Sequence, residues 1–500
     1  MTKKIKEKKQ ISPIIMLVIL IVIASFSSLI LSVLNVDSTQ TAIMNGTLET
    51  SIVVVKNIFS QEGLIYFFSN IIVNFNLVEP FALLIISLMA LGLAKSSGLL
   101  DHLVLPLKKL NPNILTFIIV FISVISTIVG DYSYIILFPL VAIIYQQVNK
   151  SPVLGILTVF LGITLGYGTN LLYNYDDYAL GMLTQAAATA DVDATYKYNL
   201  LSNIYIMITS TIAISFLITF LINKHLFKKF TALEEKLEQR LISRKALILS
   251  IISIIIVVVF IGSLCLPNGI LLDNIQNLYV AKLLSSMSPF YMAFMFLFLL
   301  VISIASIVYG FISKNYKNNH ELSWGLTKEF NNLGYLFTMM FLSSILISII
   351  DWTNIGVVVA NNLIYIISLF DFTGIPLIII SFILIIVMSI LMPNNLEKWT
   401  LISPVLVPLF MRDNLTPDFA QFVFKVADSV GKVISPLFIY FIIMVGFIQK
   451  YNEKENKITL FNTLKLIWPI IIIVIIFWLL LLIIWYIAGL PLGIDTLATM

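Results

Sequence analysis

The chain has 500 residues, of which 59% are hydrophobic and only 11% are charged, and its formal net charge is +4. Soluble domains carry about 25% charged residues, so this composition excludes an ordinary soluble protein and indicates a multi-pass membrane protein. The single cysteine, Cys265, excludes an internal disulfide framework. Because the sequence has neither a Walker-type phosphate loop nor a dinucleotide-binding glycine motif, we do not expect the chain to drive transport with ATP by itself.

Apolar runs of about 20 residues, the length that a helix needs to cross a bilayer, follow one another along the chain. Four further pieces, near 131–149, 331–350, 394–412 and 417–432, are shorter or interrupted by polar residues. The long runs, in chain order, lie near residues 12–35, 73–94, 112–130, 152–173, 199–222, 246–266, 289–313, 353–371, 373–392, 433–449 and 463–488.

The distribution of lysine and arginine predicts the orientation of these helices, because cytoplasmic loops are enriched in positive charge. The predicted orientation places the N-terminus in the cytoplasm and the C-terminus outside. The loop assignments agree with one another only if 131–149 and 394–412 each enter and leave the membrane on one side, as re-entrant hairpins do. The segments predicted to be cytoplasmic are 3–9, 95–109, 224–245, 314–328 and 450–457, and those predicted to be external are 36–72, 267–288 and 489–500.

Two regions share the same order of features, which predicts an internal inverted repeat with broken helices. Each region has a Pro-Leu pair, then a Ser-Pro or Thr-Pro helix start, then a glycine at the same offset, and finally a polar or helix-breaking patch. Paired broken segments in the two halves of a transporter indicate a binding site between them. The matching residues are Pro139-Leu140, Ser151-Pro152, Gly166 and Thr169-Asn170 in the first region, and Pro408-Leu409, Thr416-Pro417, Gly431 and Ser435-Pro436 in the second.

The repeat divides the chain into five predicted parts. Residues 1–72 form an N-terminal anchor helix with an external loop, and 73–222 form the first repeat with its re-entrant hairpin at about 131–149. A basic cytoplasmic linker, 223–246, leads to the second repeat, 247–462, whose hairpin lies at about 394–412. Residues 463–500 form a C-terminal transmembrane helix and an external tail.

Charged residues interrupt the apolar sequence between Pro393 and Pro436. An ionisable side chain at bilayer depth costs at least about 2.5 to 3.5 kcal/mol, so such residues are retained where they face a partner, a water-filled cavity or a substrate. This segment therefore indicates the binding site of a transporter for a small polar molecule. Its conspicuous residues are Glu397, Lys398, Trp399, Lys425, Asp428 and Lys432.

At these positions the chain resembles the p-aminobenzoyl-glutamate transporter (AbgT) family, within the ion-transporter superfamily. The resemblance covers roughly residues 75–210 and 330–450. The motifs that carry it are 92-GLAKSSGL-99, 130-GDYSYIILFPLVAII-144, 166-GYGTNLLYNYDDYALGMLTQAA-187, 395-NLEKWTLISPVLVPLFM-411 and 425-KVADSVGKVISP-436.

The resemblance implies a homodimer in a bacterial plasma membrane, each protomer having about nine transmembrane helices plus two re-entrant hairpins. It implies a secondary transporter of p-aminobenzoyl-glutamate, p-aminobenzoate or sulfonamides, coupled to a sodium or proton gradient, with no other cofactor and no nucleic-acid partner. Carried over by position, the family's functional residues are Asp177, Trp399, Pro417, Asp428 and Pro436.

Several positions depart from the family pattern. Leu396 replaces a serine, Ser389 an asparagine, Lys425 an arginine and Lys432 an asparagine, while Lys95 stands where a glutamate is expected. An ammonium is a point charge that grips a carboxylate with less orientational control than a guanidinium does. Lys432 falls near the family's cation site, so its ammonium could take the place of sodium, and coupling would then pass to protons or vanish.

The remaining candidates have two readings each. If its helix continues, Asp428 is flanked by Lys425 and Lys432. The carboxylate could then form a structural ion pair that neutralises its own charge, or it could exchange a lysine for the substrate or a cation. Asn170 could bind a ligand or cap a helix, and Asp131 could stabilise a helix start or relay a cation. Trp399 could stack on a ring or a lysine, or anchor the chain at the membrane interface.

The candidate site residues are therefore Asn170, Asp177, Trp399, Pro417, Lys425, Asp428 and Pro436 for substrate, and Asp428, Lys432, Ser389 and Asp131 for cation coupling, with a possible sodium ion near Asp428 and no other metal site. A transporter of another small anion, such as a dicarboxylate or a short-chain acid, is the first alternative. A passive channel is the second. An enzyme is not expected, because no nucleophile, base and orienting group with histidine or cysteine can be assembled.

Overall fold

The computed structural model describes residues 11–44, 46–76, 80–230, 240–275, 279–285, 287–370, 372–451 and 459–500. Within these ranges, ten helical segments are long and apolar enough to cross a membrane. This confirms the prediction of a helical, multi-pass membrane protein. The basic start at 3–9, much of the linker 223–246 and most of the segment 450–457 lie outside the described residues.

Twenty α-helices and two small β-hairpins make up the described fold. Strands β1 (Asp37–Met44) and β2 (Thr47–Val54) pair antiparallel, as do β3 (Pro491–Gly493) and β4 (Thr496–Leu497). The helices are α1 Pro13–Val33, α2 Gln61–Asn76, α3 Pro80–Ser96, α4 Leu99–Val104, α5 Pro112–Ser126, α6 Tyr132–Gln147, α7 Pro152–Gly166, α8 Tyr175–Asp191, α9 Ile204–His225, α10 Arg244–Leu264, α11 Tyr279–Leu284, α12 Pro289–Ile312, α13 Asn319–Thr327, α14 Gly334–Trp352, α15 Ile355–Ser368, α16 Gly374–Leu391, α17 Asn395–Arg412, α18 Pro417–Ile434, α19 Ile439–Lys450 and α20 Leu460–Ile487.

Burial separates the helices into a core and a periphery. Every residue of α7 is buried, and so is every residue of α18 except Ile434. By contrast, only 6% of the apolar window of α10 is buried, although that helix is as hydrophobic as the others. An apolar surface of this kind suits contact with lipid. The core of the molecule is therefore built around α7 and α18, and α18 carries the buried charged residues Lys425, Asp428 and Lys432.

The same order of elements occurs twice around these two helices. In the first set, α5 and α6 both pack against α7, which is interrupted before α8; in the second, α16 and α17 pack against α18, which is interrupted before α19. The turn between α5 and α6 spans residues 127–131, and the turn between α16 and α17 spans 392–394. Both turns lie beside the interruption of the buried helix in their own set. The inverted symmetry of the two sets remains a prediction.

The extent of the two predicted hairpins is corrected by this arrangement. Residues 131–149 contain one helix, α6, and residues 394–412 contain one helix, α17. Each is the second arm of a hairpin whose first arm, α5 or α16, was predicted from its apolar sequence as a separate span. The Pro-Leu pairs gave no sign of this, since Pro139 and Pro408 both lie inside helices. The turns themselves contain Gly130, with φ of 63°, and Pro393.

Two further regions differ from expectation. The predicted external loop 36–72 contains the β1–β2 hairpin and most of α2. Together the two strands are rich in threonine, isoleucine and valine, which favour strands. The interrupted segments 331–350 and 417–432 are continuous helices, α14 and α18. The polar residues that made these segments look broken are accommodated by burial against other helices rather than by ending the helix.

The predicted external tail is fastened to the loop between α17 and α18. Thr416 donates its backbone N–H to the carbonyl of Ala498 (3.0 Å) and its hydroxyl to that of Leu497 (2.8 Å). Met500 donates to the carbonyl of Asn414 (2.9 Å). On its other side the same loop contacts α16, since Asp413 accepts a hydrogen bond from the backbone N–H of Gly374. Residues 413–416 are thus held from two directions.

A buried glutamate joins three distant segments. Glu329, 3% exposed, lies just before α14 and accepts from Lys95 at the end of α3 (3.0 Å) and from Lys450 at the end of α19 (2.8 Å). Lys95 is the position where the family resemblance leads us to expect a glutamate, and here the carboxylate comes from Glu329 instead. Burial alone would raise the pKa of Glu329, but Lys450 and Lys95 outweigh it and hold the pKa at about 2.

Glu329→Gln is expected to lower the free energy of unfolding by about 1–3 kcal/mol at pH 7, because two lysines lose their charged acceptor. The pKa of the folded state is depressed, so the stabilisation is present above the unfolded pKa and is lost as the pH falls towards 2. The melting temperatures of the variant and the parent in detergent, measured from pH 8 to pH 3, should therefore differ by a constant amount from pH 8 to 5, and the difference should shrink steadily below the ordinary glutamate pKa of 4.5. A difference that stays constant down to pH 3 would contradict the charge-based explanation.

Candidate functional site

A narrow cleft, with room for about 10 Å³, lies where the starts of α8 and α17 meet the middle of α18. Polar and aromatic side chains contribute most of its wall. The lining residues are Tyr167, Asn174, Asp176, Asp177, Leu180, Asn395, Phe424, Lys425 and Asp428.

Asp428 pairs with two lysine ammonium groups, one at each carboxylate oxygen. Lys398 donates to Oδ1, and Lys432, one turn further along α18, lies 3.0 Å from Oδ2. The hydroxyl oxygen of Ser389 lies 2.9 Å from Oδ1 and accepts from Lys398 at 2.6 Å. Lys398 also donates to the carbonyl of Met392 (2.6 Å), in the turn between α16 and α17. The carboxylate thus links both arms of the second hairpin to α18.

These contacts correct the predicted partners of Asp428. The expected flanking pair was Lys425 and Lys432, but only Lys432 contacts the carboxylate. The second cation is Lys398, which the sequence showed among the charged residues of α17 and to which we assigned no role. Spacing along one helix identified the neighbour four residues away, whereas Lys398 reaches Asp428 from another helix, which helical periodicity does not reveal.

Lys425 instead forms an ion pair with Asp177 across the cleft. Asp177 is held in place by a capping box at the start of α8: its backbone N–H donates to Asn174 Oδ1 (2.9 Å), and its Oδ2 accepts the backbone N–H of Asn174 (3.1 Å). The Asp177 carboxylate therefore accepts a hydrogen bond at the start of α8 and pairs with the Lys425 ammonium at the same time. Both Lys425 and Asp177 line the cleft, as the resemblance led us to expect for a substrate site.

Asp176, next to Asp177, forms no direct ion pair among the described residues, although it attracts the nearby ammonium of Lys432. Its Oδ2 accepts the Tyr167 hydroxyl (2.6 Å) and, more weakly, the Asn395 amide (3.4 Å). The ammonium of Lys432 lies 4.5 Å from the centre of the Tyr167 ring. Sequence reasoning missed Tyr167, Asn174, Asn395 and Phe424. A signal was present for two of them, because Tyr167 stands between glycines at a helix break and Asn395 opens a polar helix start.

Two predicted substrate residues support the site from behind rather than lining it. Trp399 is fully buried, donates its indole N–H to Thr184 Oγ1 (3.0 Å), and has its ring 4.5 Å from that of Phe424, which faces the cleft. Asn170 donates to Thr127 Oγ1 (2.8 Å) and to the carbonyl of Ile125 (3.3 Å), in and beside the turn between α5 and α6. Asn170 therefore ties the first hairpin to the end of α7.

The two predicted prolines mark helix boundaries. Pro417 is the first residue of α18, where Thr416 caps the helix by accepting from the N–H of Phe419. It lies eight residues before Lys425, about 12 Å along the helix. Pro436 lies in the interruption between α18 and α19, where the Ser435 hydroxyl donates to the carbonyl of Ile390 (2.7 Å). Neither proline lines the cleft, and both determine where α18 begins and ends.

Asp131 is the residue before α6, at the end of the turn between α5 and α6. Its side chain does not make the capping hydrogen bond to the helix start that we expected. Leu396, where the family pattern has a serine, packs against the hydrophobic core. Across the described part of the chain, no group of three or more histidine, cysteine, aspartate or glutamate side chains is placed to hold a metal ion.

Comparison with known proteins identifies the family. The model of the "AbgT putative transporter family" matches residues 7–500. The p-aminobenzoyl-glutamate transport protein of Escherichia coli (strain K12) is 27% identical over 489 residues, which is 96% of this chain and 93% of that protein.

Two solved structures match this chain over nearly its whole length. The YdaH transporter of Alcanivorax borkumensis has a TM-score of 0.50 at 23% identity, over 97% of this chain and 100% of that one. The Neisseria gonorrhoeae MtrF, described as belonging to a class of antimetabolite efflux pumps, has a TM-score of 0.49 at 22% identity, over 98% of each chain. The match of the family model over almost the whole sequence shows that the chain belongs to the AbgT family and is a membrane transport protein rather than an enzyme.

Proposed function

We propose that this protein is a secondary active transporter of small aromatic carboxylates of the p-aminobenzoyl-glutamate and p-aminobenzoate type, including sulfonamides, in a bacterial plasma membrane. The E. coli relative is named for transport of p-aminobenzoyl-glutamate. The observation that carries the proposal is the Lys425–Asp177 pair in the wall of the cleft. An ammonium held by a single carboxylate in a cleft can exchange that carboxylate for one on a substrate.

Binding by exchange gives Lys425 and Asp177 distinct roles. The substrate carboxylate would take a position on Lys425 Nζ, while Asp177 would keep its capping hydrogen bonds with Asn174 and so remain partly satisfied. This limits the cost of releasing Asp177, because a buried carboxylate without any partner would be strongly destabilised. Phe424 and Leu180 supply apolar wall for an aromatic ring.

We propose further that coupling uses protons rather than sodium bound at Asp428. Both oxygens of Asp428 already accept ammonium groups, from Lys398 and Lys432. A sodium ion requires oxygen ligands, and at Asp428 it would be repelled by the two ammonium groups already in contact with the carboxylate. A lysine ammonium can release and rebind a proton and can therefore couple transport to a proton gradient. The pKa of a lysine shifts readily on burial, which makes this exchange easier.

Uptake by the wild-type protein is therefore expected to be unchanged when sodium is replaced by choline at a constant proton gradient. Lys432→Asn, which restores the family residue, is expected to gain sodium sensitivity, because one oxygen of Asp428 becomes available to a cation. The measurement is initial uptake into proteoliposomes at matched ionic strength. Sodium-dependent uptake that is the same in Lys432→Asn and is lost in Asp428→Ala would show that sodium binds here despite the lysines.

The transport assay itself tests the main proposal. Liposomes containing the purified protein would receive labelled p-aminobenzoyl-glutamate or p-aminobenzoate under a proton gradient, a sodium gradient or neither. Accumulation above the external concentration supports gradient-driven transport, whereas equilibration without accumulation would indicate a passive channel. If neither compound is bound or moved while a dicarboxylate or short-chain acid is, the substrate belongs to the alternative class of small anions.

Family membership supports a proposal for the oligomeric state, and the distribution of lysine and arginine supports one for the orientation. We propose a homodimer, with the N-terminus in the cytoplasm and the C-terminus outside. The exposed apolar face of α10 is compatible with contact to lipid or to a second copy. Mass measurement in lipid nanodiscs would distinguish one copy from two, and protease access from each side of sealed vesicles would test the orientation.

A further inference from the structure

A second buried polar cluster lies outside the cleft, where the first turn of α18 meets the start of α9. Asp418 is 4% exposed, and its Oδ2 accepts the hydroxyl of Tyr196 (2.9 Å), in the link between α8 and α9. Asn203, just before α9, is 3% exposed and donates its side-chain amide to the backbone carbonyl of Asp418 (3.1 Å). Ser202 is also buried, and its hydroxyl is near enough to stabilise the Asp418 carboxylate. The cluster therefore joins α18 to α9.

Two oxygens of this cluster lack a hydrogen-bond donor. Neither Asp418 Oδ1 nor Asn203 Oδ1 has a hydrogen-bond partner among the residues that the structure describes, and the Ser202 hydroxyl makes no hydrogen bond of normal geometry. A buried acceptor without a donor is costly. One added hydrogen would relieve this cost, because a proton on Asp418 Oδ1 turns that acceptor into a donor.

No cationic side chain forms an ion pair with Asp418 in the part of the chain that the structure describes. The titratable groups that face it are three phenols, those of Tyr173, Tyr196 and Tyr198. Asp177 and Arg412, on the neighbouring α8 and α17, are each in an ion pair of their own, with Lys425 and Asp191 respectively. Lys197 and Asp495, on the link after α8 and on the tail, are exposed. Helices α7 and α16 carry no charged residue, and Lys465 of α20 lies 13 residues from Trp478, which contacts α18.

The surroundings of Asp418 act on its charge in opposite directions. Burial without a cation disfavours a carboxylate, whereas a position in the first turn of a helix favours one. Opposed effects of this kind suit a group that binds and releases a proton. A proton needs only one oxygen and one acceptor, which the cluster provides, whereas a hard metal cation prefers about six oxygen ligands.

The position of Asp418 also connects it to the residues of the cleft. The polar residues of α18 are spaced by three or four and so share one face, the polar stripe, which consists of Asp418, Gln421, Lys425, Asp428 and Lys432. Between the cluster and the cleft, Gln421 is 1% exposed and accepts the Thr184 hydroxyl (2.8 Å). Asp418 lies about 15 Å along the helix from Asp428 and next to the loop 413–416. It is therefore the end of the polar stripe that faces outside in the proposed orientation.

We propose that Asp418 is a proton-binding residue of the transport cycle, at which the coupling proton enters the polar stripe of α18. The proposal rests on the proposed function and specifies where its proton binds. The proton adds to Asp418 Oδ1 of the carboxylate, and the resulting hydroxyl can donate to a neighbouring acceptor such as Asn203 Oδ1. Release of the proton restores the carboxylate. Tyr196 and Asn203 are positioning residues for this group.

Infrared difference spectra of the purified protein test proton binding without any substrate. Raising the pH, within the range in which the protein stays folded, should deplete the carbonyl stretching band of protonated carboxyl groups in the wild-type protein. Asp418→Asn should lose part of this change, because its amide does not titrate. Asp418→Glu, which keeps a carboxyl group, should retain it.

Uptake into proteoliposomes gives the second measurement. Under a proton gradient, Asp418→Asn should lose accumulation of labelled p-aminobenzoyl-glutamate, because an amide imitates the protonated acid but cannot release a proton. Exchange of labelled for unlabelled substrate without a gradient should continue in this variant. Asp418→Glu should retain accumulation. Asp495→Asn is the matched control, since Asp495 is an exposed carboxylate in the β3–β4 turn, whose Gly493 packs against Ser202, and it should accumulate substrate as the wild-type protein does.

The inference is overturned if Asp418→Asn shows the full infrared change of the wild-type protein, or if it accumulates substrate at the wild-type level. It is also overturned if sodium chloride, but not choline chloride, removes the same band at constant pH, since the site would then bind sodium. Loss of exchange in folded Asp418→Asn and Asp418→Glu alike would indicate a structural role and overturn it as well. If the wild-type protein moves neither p-aminobenzoyl-glutamate nor p-aminobenzoate, the proposed function fails, and the infrared measurement still decides whether Asp418 binds a proton.

Discussion

Asp428→Ala is expected to abolish uptake and to lower the free energy of unfolding by about 3–5 kcal/mol, the cost of breaking a buried ion pair by removing one partner. Two ammonium groups, those of Lys398 and Lys432, would remain buried without their common carboxylate. Lys398 is fully buried, so water cannot easily replace the lost acceptor. The measurements are the melting temperature in detergent and uptake into proteoliposomes, both relative to the wild-type protein.

A triple variant separates stability from transport. Lys398→Met, Asp428→Leu and Lys432→Met together remove every charge of the cluster and fill its volume with apolar side chains, which is often neutral or stabilising. We expect this variant to regain most of the melting temperature lost in Asp428→Ala and to remain inactive. Uptake by the triple variant at the wild-type rate would show that the cluster serves only stability, and an Asp428→Ala variant with unchanged stability would contradict the observed pairing.

Gly431→Ala is expected to lower the free energy of unfolding by about 1–3 kcal/mol through overpacking. A Cβ at Gly431 would lie 2.4 Å from the Cβ of Ser389 and 2.7 Å from the carbonyl oxygen of Ile386, at the crossing of α18 with α16. The carbonyl belongs to the backbone and cannot rotate away. Because Ser389 holds the Lys398–Asp428 pair, the displacement should also lower uptake, by at least about tenfold.

Gly262→Ala provides the control for this substitution. Gly262 also lies inside a helix, α10, but a Cβ there would have no heavy atom within 4 Å. The control should be within about 0.5 kcal/mol of the wild-type protein or slightly more stable, since alanine favours helix. A similar loss of stability in both variants would indicate a general sensitivity of helices to the substitution rather than a close contact between α16 and α18.

Much of the fold was predictable because the bilayer constrains helix length and composition. The apolar runs predicted most of the long helices, and Ser151-Pro152 and Thr416-Pro417 correctly predicted the starts of α7 and α18. The hairpins were assigned incorrectly because hydropathy does not show which neighbouring helices form a pair, and the first arms are themselves apolar enough to be candidate membrane spans. The common packing of each pair against α7 or α18 reveals the pairs, and packing between distant segments is not visible in local sequence.

Contacts in the site could be predicted between residues that are close in sequence, but not between residues that lie on different helices. The Asp428–Lys432 contact follows from a spacing of four residues. The resemblance led us to Asp177, but nothing in the sequence showed that it pairs with Lys425. The relation of Asp176 to Tyr167 and Asn395 depends on how α7, α8 and α17 meet, which the local sequence does not show.

The fastening of residues 413–416 to the tail and to Gly374 has a consequence for how the cleft can open. Displacing that loop would break several hydrogen bonds at once, each worth about 0.5–1.5 kcal/mol net. We therefore expect residues 413–416 to be the more firmly held end of the second hairpin in any opening of the cleft. At the other end of α17, Lys398 links the turn at 392–394 to Asp428 through the carbonyl of Met392. Under the proposed function, loss of the charge on this one ammonium would weaken the link between that turn and α18.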